Sequence, residues 1–226
     1  MTLEQAFSID NSINSSINNS KNPAPSFDVI SINSKTKSVD IPRIERAVRE
    51  ILIGIGEDPD REGLIDTPNR VARMYEEIFA GLRQDPTEEL NCSFSEGYNG
   101  VVLVKDIEFY SMCEHHILPI HGKAHVAYLP GKSGKVTGIS KLARLVEGFA
   151  KRPQLQERLT QQVAQGLYDT LDAEGVIVLV EASHLCMSMR GIKKSDAKTT
   201  TIVALGSFKD DQNLQSQFFK MLDSNS

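Results

Sequence analysis

The apolar positions of this chain change period along its length, and each change marks a different kind of element. Ile44, Ala47, Val48, Ile51, Leu52 and Ile55 recur at three- and four-residue intervals, the stripe of an amphipathic helix. Asp40 stands where an N-cap accepts from free amides, Pro42 suits a first turn, and Gly54 and Gly56 stop the pattern. Thr67-Pro68 predicts a second helix start ahead of Val71, Met74, Tyr75, Ile78, Phe79 and Leu82, with Gly81 near its end. Past Gly100 the texture turns β-branched and aromatic: residues 101–110 and, after a turn at Gly122, 123–129 predict a strand pair. Ser140 is placed to cap a helix through Leu142, Leu145, Val146 and Phe149; Arg152-Pro153 breaks it before a longer helix from Gln154 toward Leu171. Residues 176–187 and 199–208 predict two more strands. Helices, two strands, two helices and two strands make an α+β order rather than alternating βαβ units, and no internal repeat of fixed period interrupts it.

Composition changes this picture at the N-terminus. The first forty residues hold nine Ser and six Asn with scattered isoleucines, too little apolar surface to offset the entropy of ordering. Residues 1–40 are therefore expected to be a disordered tail and 41–226 one domain, with helices over 41–82 and a sheet-bearing core over about 98–210. A chain of 226 residues is long enough to bury a sizeable core. Three cysteines are too few for a disulfide framework and suit a reducing compartment. The N-terminus lacks a basic stretch followed by an apolar run, and the longest apolar run, 176–180, is far short of a membrane span. A cytoplasmic protein with neither signal peptide nor membrane contact is expected. A net charge of −5 argues against general nucleic-acid affinity.

Two short segments concentrate the chemistry. Cys113-Glu114-His115-His116 and His184-Leu185-Cys186 gather two of the three cysteines and three of the five histidines. Zinc takes thiolate and imidazole ligands, and a catalytic site uses three protein ligands with a fourth position open. Five candidates exceed that need, which suggests chemistry beside the metal, and no CxxC pair points to a closed structural site. The bland alternative is buried free cysteines acting as small hydrophobes near unrelated histidines. Period-two alternation would set His184 and Cys186 on one strand face. It would likewise set Cys113 with His115, but a strand end where the chain turns leaves the choice between His115 and His116 open.

Other candidates are weaker by themselves. Glu157 on the longer helix reads most simply as a solvated carboxylate. Ser140, Lys141 and Arg144 combine a helix start with two cations, an arrangement that binds anions, and Arg190, Arg70 and Arg73 could add phosphate contacts. Gly131-Lys132-Ser133 imitates the end of a phosphate-binding P-loop, but Val126 stands where that motif needs Gly. The PCxxC motif of a zinc nucleobase deaminase is also missing.

Taken together, DTPNRVARM at 66–74, SMCEHHILPIHGKAHVAYLP at 111–130, GISKLARLV at 138–146, RPQLQERLT at 152–160 and SHLCMSMRG at 183–191 resemble the GTP cyclohydrolase I family, in order and spacing, over about 43–210. The resemblance implies a tunnelling fold: an antiparallel sheet with a helix pair between its second and third strands, preceded by N-terminal helices. It further implies assembly into a homo-oligomeric ring, a decamer in the family, with active sites between subunits. Cys113, His116 and Cys186 would then hold Zn2+, while His115 and His184 stay off the metal as proton-transfer groups. The implied reaction is hydrolysis of GTP at C8 with release of formate and rearrangement to 7,8-dihydroneopterin triphosphate, the first step of tetrahydrofolate and pterin biosynthesis. Glu157 would select guanine, and Ser140, Lys141, Arg144, Arg190, Arg70 and Arg73 would share the triphosphate. The alternatives are another tunnelling-fold pterin or deazaguanine enzyme, or a non-catalytic zinc-stabilised oligomeric binding protein.

Overall fold

The computed structural model describes residues 38–224, so most of the stretch read as a tail lies outside the described residues. In chain order the helices are α1 (Ile41–Gly54), α2 (Thr67–Ile78), α3 (Ile139–Ala150), α4 (Gln156–Leu171), α5 (Leu185–Ser188), α6 (Ser207–Asp210) and α7 (Gln212–Asp223). The strands are β1 (Ser93–Ser95), β2 (Val102–Cys113), β3 (Pro119–Leu129), β4 (Lys135–Thr137), β5 (Pro153–Gln154), β6 (Gly175–His184) and β7 (Thr199–Gly206).

One five-stranded sheet, in the order β5-β2-β3-β6-β7, organises the core. Its four long strands are antiparallel neighbours, and β5 pairs in parallel with only the last two residues of β2. Helices α3 and α4 connect β3 to β6 and cover one face, where Val176, Val178, Val180 and Ala182 meet Leu142, Leu145, Phe149, Leu159, Val163 and Leu167. The opposite side chains of β6, Ile177 and Leu179, join Ala127 beneath Phe208, Phe218 and Phe219 from α6 and α7. Burial on both faces accounts for the continuous apolar run at 176–180. Helices α1 and α2 pack mainly on each other: none of α1 is buried, and of α2 only Ala72 is.

Several boundaries differ from the sequence expectations. Asp40 does cap α1, accepting from Arg43 N at 3.0 Å. Ser140, however, lies inside the first turn of α3, because the chain leaves β4 at Thr137 and Gly138 takes the N-cap position, its carbonyl accepting from Lys141 N at 2.8 Å. Thr67 is likewise the first helical residue of α2, and Asp66 precedes it. Helix α4 starts at Gln156 because Gln154 is paired with Cys113. Gly122 is not a turn but lies inside β3, between Phe109 and Ala182. A Cβ there would sit 2.1 Å from the Glu181 carbonyl oxygen, so only glycine fits. Helix α7, outside the expected core, had a readable signal: Asp211 as cap, then Leu214, Phe218 and Leu222 at intervals of four.

Candidate active site

At the end of β2 the chain reverses through a tight hairpin. Cys113 N donates to Leu118 O and Ile117 N donates to Cys113 O, both at 2.8 Å, with Ile117 at φ 51°. Glu114, His115 and His116 project from this turn. Cys113 itself, 5 % exposed, points into the core beneath α3 and α4. The register of β3 with β6 sets Ile120 opposite His184, which brings the end of β6 beside the hairpin.

There β6 becomes the helical turn α5, and this overturns the expectation of a strand over 176–187. A helical turn does not alternate sides, so His184 and Cys186 diverge. His184, the last strand residue, faces α4 and its Nε2 lies 2.7 Å from Gln156 Oε1. Cys186 swings toward the hairpin, so that one donor atom each from Cys113, His116 and Cys186 lie within 4.8 Å of one another. His115 is exposed, its ring edge-on to that of His116 with centroids 6.3 Å apart.

Two sulfurs and an imidazole at these separations fit zinc with one position left open. The electrostatics agree. Burial, and then the adjacent Cys113 thiol, push the Cys186 thiol up, so ionising it without a cation is costly; a divalent ion offsets that cost. Arg190 Nη1 lies 2.9 Å from His116 Nε2, at the rim of the group. Burial pushes His184 below its usual imidazole value, while the Glu157 carboxylate in the first turn of α4 pulls it back upward.

Two supports went unread in the sequence. Arg158 of α4 grips the Glu114 carboxylate through both nitrogens of its fork, Nη2 at 3.3 Å from Oε1, and holds it below the usual carboxylate range. Glu114 N also donates to Gln154 O at 3.1 Å. The hairpin is thereby strapped to the segment that carries Gln156. Such contacts join residues far apart in sequence, and no local pattern announces them.

The remaining candidates lie elsewhere in the single chain. Ser140 and Lys141 lie in the first turn of α3 and Arg144 midway along it, whereas the helix ends at Ala150, whose carbonyl accepts from Ser111 Oγ, two residues before Cys113. Along the helix, Ser140 and Lys141 are thus roughly 14–15 Å, and Arg144 roughly 9 Å, from its end at Ala150. Lys141 and Arg144 both pair with Glu89, at 2.9 and 3.3 Å. Arg70 and Arg73 are exposed on α2, where Arg70 pairs with Asp66 at 3.0 Å. His121 and His125 make an HxxxH spacing, but on β3 that spacing separates them by roughly 13 Å, too far to share an ion.

A buried cysteine, a half-buried one and a histidine at donor distance, with a second histidine seated beside them, lie at one end of a helix-covered antiparallel sheet and make a group that could hold a metal ion with a position left open, as enzyme sites do. The family model for GTP cyclohydrolase I matches residues 44–223, and the chain belongs to that family. It is 65% identical over 170 residues to GTP cyclohydrolase 1 of Carboxydothermus hydrogenoformans, covering 75% of this chain and 88% of that protein. It is 60% identical over 175 residues to GTP cyclohydrolase 1 of Bacillus subtilis, covering 77% and 92%. Among solved structures, the apo form of an archaeosine synthase QueF-Like superposes with a TM-score of 0.40 at 18% identity, over 48% of this chain and 96% of that one, too loose a likeness to carry weight.

Proposed function

We propose that this chain is a zinc-dependent GTP cyclohydrolase: it opens the guanine imidazole ring at C8, releases formate and yields 7,8-dihydroneopterin triphosphate. The observation that carries this reading is the Cys113–His116–Cys186 group with His184 beside it, in a chain belonging to the GTP cyclohydrolase I family. Cys113, His116 and Cys186 would hold the zinc. When bound, zinc supplies Lewis acidity and a water acidic enough to act as nucleophile near neutral pH.

The chain's own residues do the rest. His184 delivers a proton to N7, which makes C8 electrophilic, and His115, exposed on the hairpin, moves protons as the ring C–N bonds break. Glu157 accepts from guanine N1–H and the 2-amino group, a pair that adenine does not present. Arg190, beside His116, meets the phosphates.

The other phosphate contacts, Ser140, Lys141, Arg144, Arg70 and Arg73, lie on α3 and α2 away from the hairpin, and a second copy would supply some of them. Assembly of this kind is supported by the sheet itself. Its two edges, β7 and most of β2, carry no further strand among the described residues. An edge of each kind on one molecule suits head-to-tail pairing, which closes into a ring. We take the ring to be a decamer and residues 41–226 to be its single catalytic domain. No described helix is long and apolar enough to cross a membrane, and a cytoplasmic site of action fits the free thiols.

The test is formate release from GTP and from ATP by zinc-loaded protein, with absorbance followed for a pterin. Formate and pterin in equal amounts from GTP alone support the reading. Absence of formate from a folded, metal-replete protein overturns it.

A further inference from the structure

Gln156, the first residue of α4, is 2 % exposed, and its amide makes four polar contacts. The nitrogen Nε2 faces Val180 O at 3.0 Å, Thr199 O at 2.9 Å and Thr201 Oγ1 at 3.2 Å. Two of these are backbone carbonyls, which only accept, so turning the amide over would set oxygen against oxygen. Oε1 must therefore face His184 Nε2, at 2.7 Å. An amide oxygen also only accepts, so the histidine has to present a proton at that nitrogen.

We infer that Gln156 is a positioning residue that fixes His184 as the Nε2–H tautomer and leaves Nδ1 as the nitrogen that exchanges a proton with the substrate. This rests on the reading of His184 as the proton-transfer group. In the step it serves, the imidazolium Nδ1–H bond breaks, its electron pair stays on Nδ1, the proton bonds to the guanine nitrogen, and a neutral Nε2–H ring remains. The bond to Gln156 persists in both forms, so the ring keeps its aim throughout the cycle.

The surroundings hold Gln156 as firmly as it holds the histidine. Thr160 Oγ1, fully buried, donates to Gln156 O at 2.8 Å and lies 2.6 Å from Thr201 Oγ1, which gives its own proton to Thr160. Helix α4 and strands β6 and β7 thus meet in one polar network with every proton assigned a place. Buried networks of this kind rigidify what they join. Gln156 lies behind His184, and its amide is fully engaged without a ligand, so its effect on turnover passes through the ring.

The test uses zinc-loaded protein labelled with 15N-histidine, with the His184 signals assigned by their absence in His184→Ala. At a pH where the ring is neutral, the proposal expects a proton on Nε2 and a bare Nδ1. Gln156→Ala and the length-matched Gln156→Met are expected to lose that tautomer preference and to lower kcat about 10²-fold, with zinc content and KM for GTP unchanged. The wild-type spectrum requires no altered Gln156, so a variant that folds poorly leaves the test intact. A neutral Nδ1–H ring in active wild type, or unchanged kcat in both folded variants, overturns the proposal alone. Wild type that releases no formate from GTP overturns it together with the reading on which it rests.

Discussion

His184 and Cys186 stand one residue apart, yet their side chains meet different halves of the site: His184 reaches Gln156 on α4, and Cys186 reaches the sulfur of Cys113 at the end of β2. The divergence comes from the change of β6 into α5 between them. It lets one short segment serve both roles proposed for it, metal ligand at Cys186 and proton-transfer group at His184, without making them compete.

That separation predicts how His184→Ala behaves. Zinc content should remain that of the wild type, because the three donors are untouched. Turnover should fall by about 10²–10⁴-fold, the contribution of a positioned acid or base. Metal analysis beside the rate of formate release checks both parts. A binding protein merely stabilised by zinc would keep whatever function it has.

Glu157 is expected to act on substrate choice rather than on the metal. In Glu157→Ala the GTP-over-ATP ratio of kcat/KM should fall by about 10²-fold or more, since the bidentate acceptor proposed for guanine is gone. Steady-state kinetics with both nucleotides measure it. An unchanged ratio would return Glu157 to the ordinary solvated carboxylate that its exposure suggests.

His125 predicts an acid sensitivity unrelated to catalysis. Its Nδ1 accepts from Asp106 N at 3.2 Å, where β2 bulges and Asp106 takes φ 59°. Burial pushes His125 below its ordinary value of about 6.5. The folded state therefore binds this proton less readily than the unfolded chain. The stability contribution is fully present above about pH 6.5 and is lost as pH falls through the lower folded-state value. Urea midpoints at pH 7.5 and at pH 5 should show a smaller drop for His125→Phe than for the wild type.

Much of this arrangement was legible in the sequence, and the reasons for the rest are physical. The α+β order and the inventory of five candidates, Cys113, His115, His116, His184 and Cys186, follow from periodicity and ligand chemistry. The choice of His116 over His115 does not, because both sit on a turn where alternation has no meaning. The α5 turn was hidden by the lack of a capping side chain, as His184 at its N-cap makes no cap hydrogen bond. Gln156 and Arg158 could not be seen as supports, since their partners come from other elements. Helix α7 was legible at Asp211, Leu214, Phe218 and Leu222.

Helix α7 matters to the fold despite its distance from the site. Phe218, fully buried against Ile177 and Leu179, closes the second face of the sheet. Phe218→Ala should cost about 3–5 kcal/mol, the usual range for removing a buried aromatic ring. Denaturant unfolding with zinc held constant measures it, and a cost below about 1 kcal/mol would mean that α7 is not part of the core.

The most direct test of the account is to titrate zinc into metal-free protein and follow formate release from GTP at each step, with Cys186→Ser alongside. The account predicts a rate that rises with zinc and levels off at one ion per chain, and a variant that neither holds the ion nor turns over. Turnover that is independent of zinc, or a Cys186→Ser variant as active as the wild type, would contradict it.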